Sequence, residues 1–216
     1  MTTLPKNHKL IPGAAGDLEI VFDKPKNNIH PNKLLIICHP HPKYLGTMNN
    51  KVVTTISKAA RNLGLTALRF NFRGVENSSG SYDHGNGEVE DILAVTTWVQ
   101  QHSPNVQEII LSGFSFGGAI AYKALSKMPL ACSHLITVAP AIINFPVSSF
   151  PEPTVPWLII QGDNDDIVLS TTVFQWLTTK IDTNYTLSKF HATGHFFHGK
   201  LIELRKEIEY YLKSRI

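Results

Sequence analysis

The sequence predicts an α/β fold in which a mostly parallel central sheet of about eight strands carries helices on both faces. Short apolar, β-branched segments alternate along the chain with segments of helical periodicity, a pattern typical of parallel sheets. The chain has 216 residues, of which 43% are hydrophobic, so it can bury a full core. A glycine-rich turn around Ser115 also joins a strand-like segment directly to a helix-like segment.

Strands are predicted where apolar or β-branched residues occur together between turn-forming residues. A Gly13-Ala14-Ala15-Gly16 turn predicts that the first segment pairs with the second as an antiparallel hairpin. In order, the predicted strands are 8–12, 18–23, 33–38, 65–71, 108–112, 134–139, 157–161 and 185–190.

Helices are predicted in the intervals between these strands, where apolar residues recur at helical spacing. They span 49–63, 87–102, 116–128, 170–181 and 199–213. In the last of them, Arg205 and Lys206 are interleaved with Glu203 and Glu207, which indicates the solvated face of a terminal helix. The interval 140–156 contains five prolines, so we expect it to connect two strands without forming a helical cap domain.

The composition restricts the kind of protein and its partners. The formal net charge of +3 and the scattered basic residues do not indicate nucleic-acid binding. Cys38 and Cys132 lie in or beside apolar segments, which favours buried thiols in a reducing compartment over a disulfide framework. The first residues lack the apolar core of a signal peptide, and no apolar segment approaches the ~20 residues of a membrane span. We therefore expect one cytoplasmic domain, residues 1–216, that binds neither nucleic acid nor membrane; its oligomeric state is not predicted.

Residues 113–117 have the pattern G-x-S-x-G, with Ser115 at its centre. They lie between the strand-like residues 108–111 and the small-residue helix 119–125. A serine on such a sharp turn is exposed above the strand ends, and the two glycines leave room where a side chain would collide with neighbouring backbone. The pattern predicts a nucleophilic Ser115; the alternative is a glycine-rich turn that happens to carry a serine.

Ligands of open parallel sheets bind at the carboxyl ends of the strands, so the loops that follow each strand are informative. The strand 33–38 is followed by His39-Pro40-His41-Pro42. Proline has no N–H group, so His41 is the expected oxyanion donor of this loop, and Phe116 is the expected second donor. The alternatives are that His39 and His41 bind a metal ion or that they only cap the loop.

Two further loops predict the partners of the serine. Asp163, Asp165 and Asp166 follow the strand 157–161, and any of them could orient a histidine. His195 follows a glycine after the last strand, where its ring could reach the serine oxygen as a general base. The neighbouring His191 and His198 could instead join a metal cluster.

Several longer motifs resemble the α/β-hydrolase superfamily, and more narrowly its small bacterial dienelactone-hydrolase-like and esterase-like members. The His-Pro-His-Pro loop is followed by a Gly-Thr-Met-Asn-Asn-Lys-Val-Val segment at 46–53. Similar phrases occur at 71–75, at 80–85 and at 87–91, so that the resemblance covers nearly the whole chain.

The resemblance implies a role for each motif residue. Ser115 would be the nucleophile, His195 the base, and Asp165 the orienting acid, because the first of two adjacent acidic residues serves in related turns. Glu76 occupies a position where related sequences often have glycine. Arg73 is interpreted as a structural arginine that ties its loop to a carboxylate, with contact to substrate as the alternative.

Together these features predict a serine hydrolase that cleaves a small ester or similar acyl substrate through an acyl-enzyme, with no cofactor and no metal ion. Its substrate would lie in a shallow, open site, for which Tyr44, Ile142, Phe145 and Phe196 are the candidate wall residues. Two alternatives remain: a metal-dependent hydrolase that uses the histidine loops, and a non-catalytic homologue that only binds a ligand.

Overall fold

The computed structural model describes residues 7–145, 147, 150–180 and 182–216. In these residues eight strands form one sheet, in the order β1-β2-β4-β3-β5-β6-β7-β8. The first two strands are antiparallel, β2 is also antiparallel to β4, and all other neighbours are parallel. The bounds are β1 (His8–Gly13), β2 (Gly16–Asp23), β3 (Lys33–Cys38), β4 (Thr66–Phe70), β5 (Glu108–Phe114), β6 (Ala131–Val138), β7 (Trp157–Gly162) and β8 (Tyr185–Phe190).

Helices cover both faces of the sheet, which confirms the predicted fold class. The described helices are α1 (Lys51–Asn62), α2 (Gly87–His102), α3 (Phe116–Leu125), α4 (Ser170–Leu177) and α5 (Leu201–Lys213). In β3, Leu34 and Ile36 pack in one core with α2, α3 and α4, whereas Leu35 and Ile37 pack in a second core with α1 and α5. Because successive side chains of a strand point to opposite faces, one apolar segment serves both cores. Among the described helices, none has the length and apolar character needed to cross a membrane.

Most elements differ from the predicted bounds by one to four residues at one or both ends, and the ends of β5, α3 and α4 illustrate this. Strand β5 continues to Phe114, because Gly113 and Phe114 still pair with β6, and the strand therefore runs directly into Ser115. Helix α3 ends at Leu125 instead of 128, and α4 ends at Leu177 instead of 181. Position 181 itself lies outside the described residues. After α4, the hydroxyls of Thr178 and Thr179 donate to carbonyls one turn back, which favours a helix end there.

The connection between β6 and β7 has no cap domain, as predicted. Its described residues form turns and extended segments without a helix, and residues 146, 148 and 149 of the interval lie outside the described ones. Val147 is buried in the core beside the sheet, and Phe145 and Phe150 pack against that core. The carboxyl edge of the sheet is therefore not covered by an inserted domain.

Arg73 fastens the loop after β4 to helix α2. Its side chain donates to Asp91 from Nε at 3.0 Å and from Nη2 at 2.8 Å, and its backbone N–H donates to the same carboxylate at 2.9 Å. Both side chains are buried. A Cβ at Gly87 would lie 1.9 Å from Arg73 Nη1, so the first residue of α2 must be glycine for the arginine to fit. Arg73 thus has the structural role that the sequence favoured.

We predict that Asp91→Ala destabilises the protein by about 3–5 kcal/mol, because it leaves the Arg73 guanidinium buried without its partner. Glu90→Ala is the matched control, since Glu90 also contacts Arg73, at 3.3 Å, but its side chain is 61% exposed. The control should cost less than about 1 kcal/mol. Denaturant unfolding of the two variants measures the difference, and equal losses would contradict the buried-pair interpretation.

Candidate active site

Ser115 occupies a strained turn at the end of β5. Its backbone is left-handed, with φ of 55° and ψ of −118°, and its side chain is buried except for a small fraction. Non-glycine residues adopt such conformations at a cost in energy, and they concentrate at functional sites. A Cβ at Gly113 would lie 2.3 Å from Gly117 carbonyl carbon, and a Cβ at Gly117 would lie 2.4 Å from the Cys38 oxygen. Both glycines of the G-x-S-x-G pattern are therefore required by close backbone contacts.

The structure brings Ser115, His195 and Asp165 into one hydrogen-bonded chain. Ser115 Oγ lies 2.9 Å from His195 Nε2, and His195 Nδ1 lies 2.8 Å from Asp165 Oδ2. A carboxylate only accepts hydrogen bonds, so Nδ1 carries the proton and Nε2 is free to accept from the serine hydroxyl. Ser115 follows β5, Asp165 follows β7, and His195 follows β8. Of the other two candidate acids, Asp163 contacts His191 and Asp166 is exposed.

Asp165 is held in place by four hydrogen bonds. Its Oδ1 accepts the backbone N–H groups of Ile167 at 3.0 Å and Val168 at 2.8 Å. Its Oδ2 accepts the Gln161 amide at 2.9 Å in addition to His195. Gln161 is fully buried near the end of β7, and it was not among the predicted site residues. A polar residue that ends an otherwise apolar strand, four positions before an acidic residue, was the signal that could have identified it.

The two expected oxyanion donors border the serine. Within the described residues, neither the His41 N–H nor the Phe116 N–H donates a hydrogen bond. The His41 carbonyl accepts the N–H groups of Tyr44 and Gly46, both at 3.1 Å, which closes the loop into a compact turn. A Cβ at Gly46 would lie 2.1 Å from the Pro40 oxygen, so this turn also depends on a glycine. The loop can present a backbone donor with little room for rearrangement.

The remaining histidines are engaged in other contacts. His39 is fully buried; its Nδ1 lies 2.6 Å from the Pro40 oxygen and its Nε2 accepts the Phe72 N–H at 2.9 Å. Burial lowers the pKa of His39 to about 4, so the ring is neutral at physiological pH. His41 Nδ1 accepts the Lys43 N–H, and its Nε2 contacts the Tyr82 hydroxyl.

These contacts bear on the metal-dependent alternative. Among the described residues, no group of three or more His, Cys, Asp and Glu side chains is arranged to hold a metal ion. His191 is highly exposed and contacts Asp163. Both ring nitrogens of His195 already have hydrogen-bond partners, Asp165 at Nδ1 and Ser115 at Nε2. The histidine loops therefore do not converge on the ligand set that this alternative needs.

A cleft of about 190 Å³ opens onto the serine, and its walls are largely aromatic. The rings of Phe116 and Phe145 are 4.8 Å apart, and the His41 ring lies 5.0 Å from Phe116. Of the four candidate wall residues, Tyr44 and Phe145 line this cleft. Its full lining consists of His41, Tyr44, Ser115, Phe116, Ala141, Asn144, Phe145, Ile167 and Val168.

Of the other two candidates, Ile142 is buried, which corrects that part of the prediction, whereas Phe196 lines a neighbouring groove. Ile142 is 2% exposed and packs into the core beside the sheet, so it does not line the cleft. Phe196 packs against His195, with ring centroids 5.2 Å apart, and it lines a separate groove. A larger groove, of about 680 Å³, lies at the C-terminal ends of α1 and α5. Ser115, His195 and Asp165 do not line it.

Glu76 joins a polar network instead of facing the serine. Its Oε2 accepts the Asn71 amide at 2.8 Å, and the same amide donates to the buried Glu19 at 2.7 Å. Asn71 Oδ1 in turn accepts the Met48 N–H at 2.9 Å. Glu76 therefore supports the loop after β4 and, through Asn71, the loop that follows the His41 turn.

Comparison with known proteins places this geometry in a family. A family model described as the alpha/beta hydrolase fold matches residues 33–155. An alpha/beta serine hydrolase without a lid from Xanthomonas campestris is 37% identical, with 99% of this chain and 97% of its own covered and a TM-score of 0.88. An alpha-beta serine hydrolase homologue from Coxiella burnetii is 41% identical, with 98% and 100% covered and a TM-score of 0.87.

An uncharacterized protein of Rickettsia prowazekii is 36% identical over 211 residues, which cover 90% of this chain and 88% of that protein. The matches to serine hydrolases support hydrolase activity, and the lidless relative agrees with the uncovered carboxyl edge of the sheet. The chain belongs to the α/β-hydrolase family.

Proposed function

We propose that the protein is a serine hydrolase that cleaves small esters or similar acyl compounds through an acyl-enzyme. The observation that carries the proposal is the chain of hydrogen bonds from Ser115 Oγ through His195 to Asp165. Such a chain activates a serine because the histidine can accept its proton while the buried carboxylate stabilises the resulting imidazolium. The N–H groups of His41 and Phe116, which donate to no acceptor among the described residues, supply the second requirement, two donors for the oxyanion.

The reaction follows from these positions. Ser115 Oγ attacks the carbonyl carbon as His195 Nε2 takes its proton, and the carbonyl oxygen becomes an oxyanion between the two N–H donors. The bond to the leaving oxygen then breaks, and that oxygen receives the proton from His195 Nε2. Water next attacks the acyl-enzyme with His195 as base, which releases the carboxylic acid and returns the proton to Ser115. No step requires a cofactor.

The size of the cleft supports a small acyl group. Its volume of about 190 Å³ is below the usual range of drug-sized ligand sites, roughly 300–1,000 Å³, and no cap domain extends it. Phe145 and Tyr44 supply apolar contacts close to the serine, whereas the buried Ile142 adds none.

We predict that a fluorophosphonate probe labels the protein at Ser115 and that Ser115→Ala abolishes both labelling and esterase activity. Ser126→Ala is the matched control, because it removes an exposed hydroxyl at the other end of α3. Mass spectrometry of the labelled peptide identifies the site. Labelling that persists in Ser115→Ala would refute the assignment, and an unlabelled wild-type protein would favour the non-catalytic alternative. Activity lost on chelation and restored by zinc would favour the metal-dependent alternative.

We predict that Asp165→Asn lowers kcat by up to ~10⁴-fold, because an amide no longer stabilises the His195 imidazolium and can hold the ring in the wrong tautomer. The neighbouring Asp166→Asn is the control. Asp166 is exposed and lies outside the hydrogen bonds that join Ser115, His195 and Asp165, so its substitution should change kcat little. Steady-state kinetics of both variants decide, and a larger loss at Asp166 would overturn the assignment of the acid.

For p-nitrophenyl esters, we predict that kcat/KM peaks between acetate and butyrate and falls for longer acyl chains. Each buried methylene contributes about 0.8 kcal/mol, and that gain should stop once the cleft is full. A series from acetate to laurate at fixed ionic strength measures the profile. A steady rise through octanoate to laurate would contradict the short, uncapped cleft.

A further inference from the structure

Two separate depressions border the serine and the histidine. One is the aromatic cleft described above. The other, here named the Phe196 groove, has a volume of about 500 Å³ and is lined mainly by Leu45, Lys51, Val52, Phe196, His198 and Leu201. Consecutive residues line the two depressions, Tyr44 the cleft and Leu45 the groove, and Phe196 of the groove contacts the ring of His195.

We propose that the Phe196 groove binds the leaving group of the substrate, and that this group is a bulky, flat alcohol with a negative charge at its far end. The inference rests on the proposed function and specifies its substrate class. It assigns the smaller aromatic cleft to the acyl group.

The chemistry of the reaction assigns the two depressions. The acyl substituent and the leaving group extend in different directions from the carbonyl carbon that Ser115 Oγ attacks. When the acyl–oxygen bond breaks, its electron pair stays on the leaving oxygen, which takes the proton of His195 Nε2. The leaving group must therefore extend on the side of the histidine, where Phe196 forms the groove wall.

Leu45 indicates an apolar occupant. Its side chain is 94% exposed, and its backbone is left-handed with φ of 60°. Glycine or asparagine adopts this conformation at lower cost, and an exposed leucine gains nothing from burial within the chain. Phe196 is likewise 44% exposed. These two apolar side chains, which the fold leaves uncovered in one groove, can gain burial when a flat apolar group lies against them.

The polar side chains of the groove indicate the charge. Those of Thr47, Asn49 and Asn50 already bond to neighbouring groups of the protein. In the described part of the chain, Lys51 and His198 donate to no acceptor, and the lining of the groove contains no carboxylate. The free cationic group is thus Lys51, which suits a leaving group with an anionic substituent.

The test compares acetyl esters whose alcohols have similar acidity: phenyl acetate, 2-naphthyl acetate and 2-naphthyl acetate with a sulfonate at position 6. We expect kcat/KM to rise about tenfold from phenyl to naphthyl, as a second ring is buried against Leu45 and Phe196. The sulfonate should add about two- to fivefold at low salt, and this increment should disappear at high salt.

Two variants and two controls identify the groove. Phe196→Ala should reduce the naphthyl-to-phenyl ratio to near one, and Lys51→Gln should remove the sulfonate increment. The exposed Ile202→Ala on α5 and Lys58→Gln on α1, which do not line the groove, should preserve both ratios. The inference is overturned if the ratios do not respond to the variants, or if Phe196→Ala instead alters the preference for acyl length.

Fluorophosphonate labelling of Ser115 separates this outcome from failure of the proposed function. If the ratios do not change while Ser115 is labelled and phenyl acetate is hydrolysed, only the assignment of the groove is wrong. If the protein is neither labelled nor active on any of the three esters, the proposed function itself is wrong.

Discussion

The close approach of helix α3 to the ends of β3 and β5 is the constraint on which the rest of the site depends. Gly113 and Gly117 allow backbone contacts that no side chain could share, and they leave Ser115 in a left-handed turn above the sheet. The Ser115 N–H donates to the Val138 oxygen of β6, and its carbonyl accepts the Ala141 N–H at 3.0 Å. Hydrogen bonds at both the N–H and the carbonyl of Ser115 thus hold the backbone of this strained residue, which keeps its hydroxyl positioned beside His195.

The loops around this turn are fixed by buried polar groups. His39 accepts the Phe72 N–H, Asn71 accepts the Met48 N–H, and Arg73 binds Asp91. Each contact joins the loop after β4 to a different neighbour: the His41 loop, the segment before α1, and α2. Because a buried polar group that loses its partner costs free energy, these bonds favour one arrangement of the loops. In the proposed reaction, the His41 N–H would need little reorganisation as charge develops on the oxyanion.

Short-range sequence patterns determined how much of the fold and of the site could be predicted. Strands β3 and β8 and helix α2 have the predicted bounds, since their limits coincide with clear changes in hydrophobic pattern. Ser115 stood in a short motif whose backbone geometry is set by its two glycines, and His195 stood in a short polar loop after the last strand. Ile142 was misplaced because a loop sequence does not reveal which of its side chains turns inward. Gln161 was missed because its role depends on Asp165, which reaches it only through the fold of the acid turn.

Strain is distributed unevenly over the molecule, and its distribution supports a functional carboxyl edge. Among the described residues, the non-glycine positions with left-handed backbone are Leu45, Glu76, His84, Ser115, Ala139, Ala192 and Phe197, and every one follows the carboxyl end of a parallel strand. At the opposite edge, the left-handed residue that precedes β4 is Gly64, which adopts this conformation without a Cβ penalty. Selection for stability alone would favour glycine or asparagine at both edges. In the proposed reaction, the Ser115 hydroxyl and the Leu45 side chain have roles that outweigh this backbone cost.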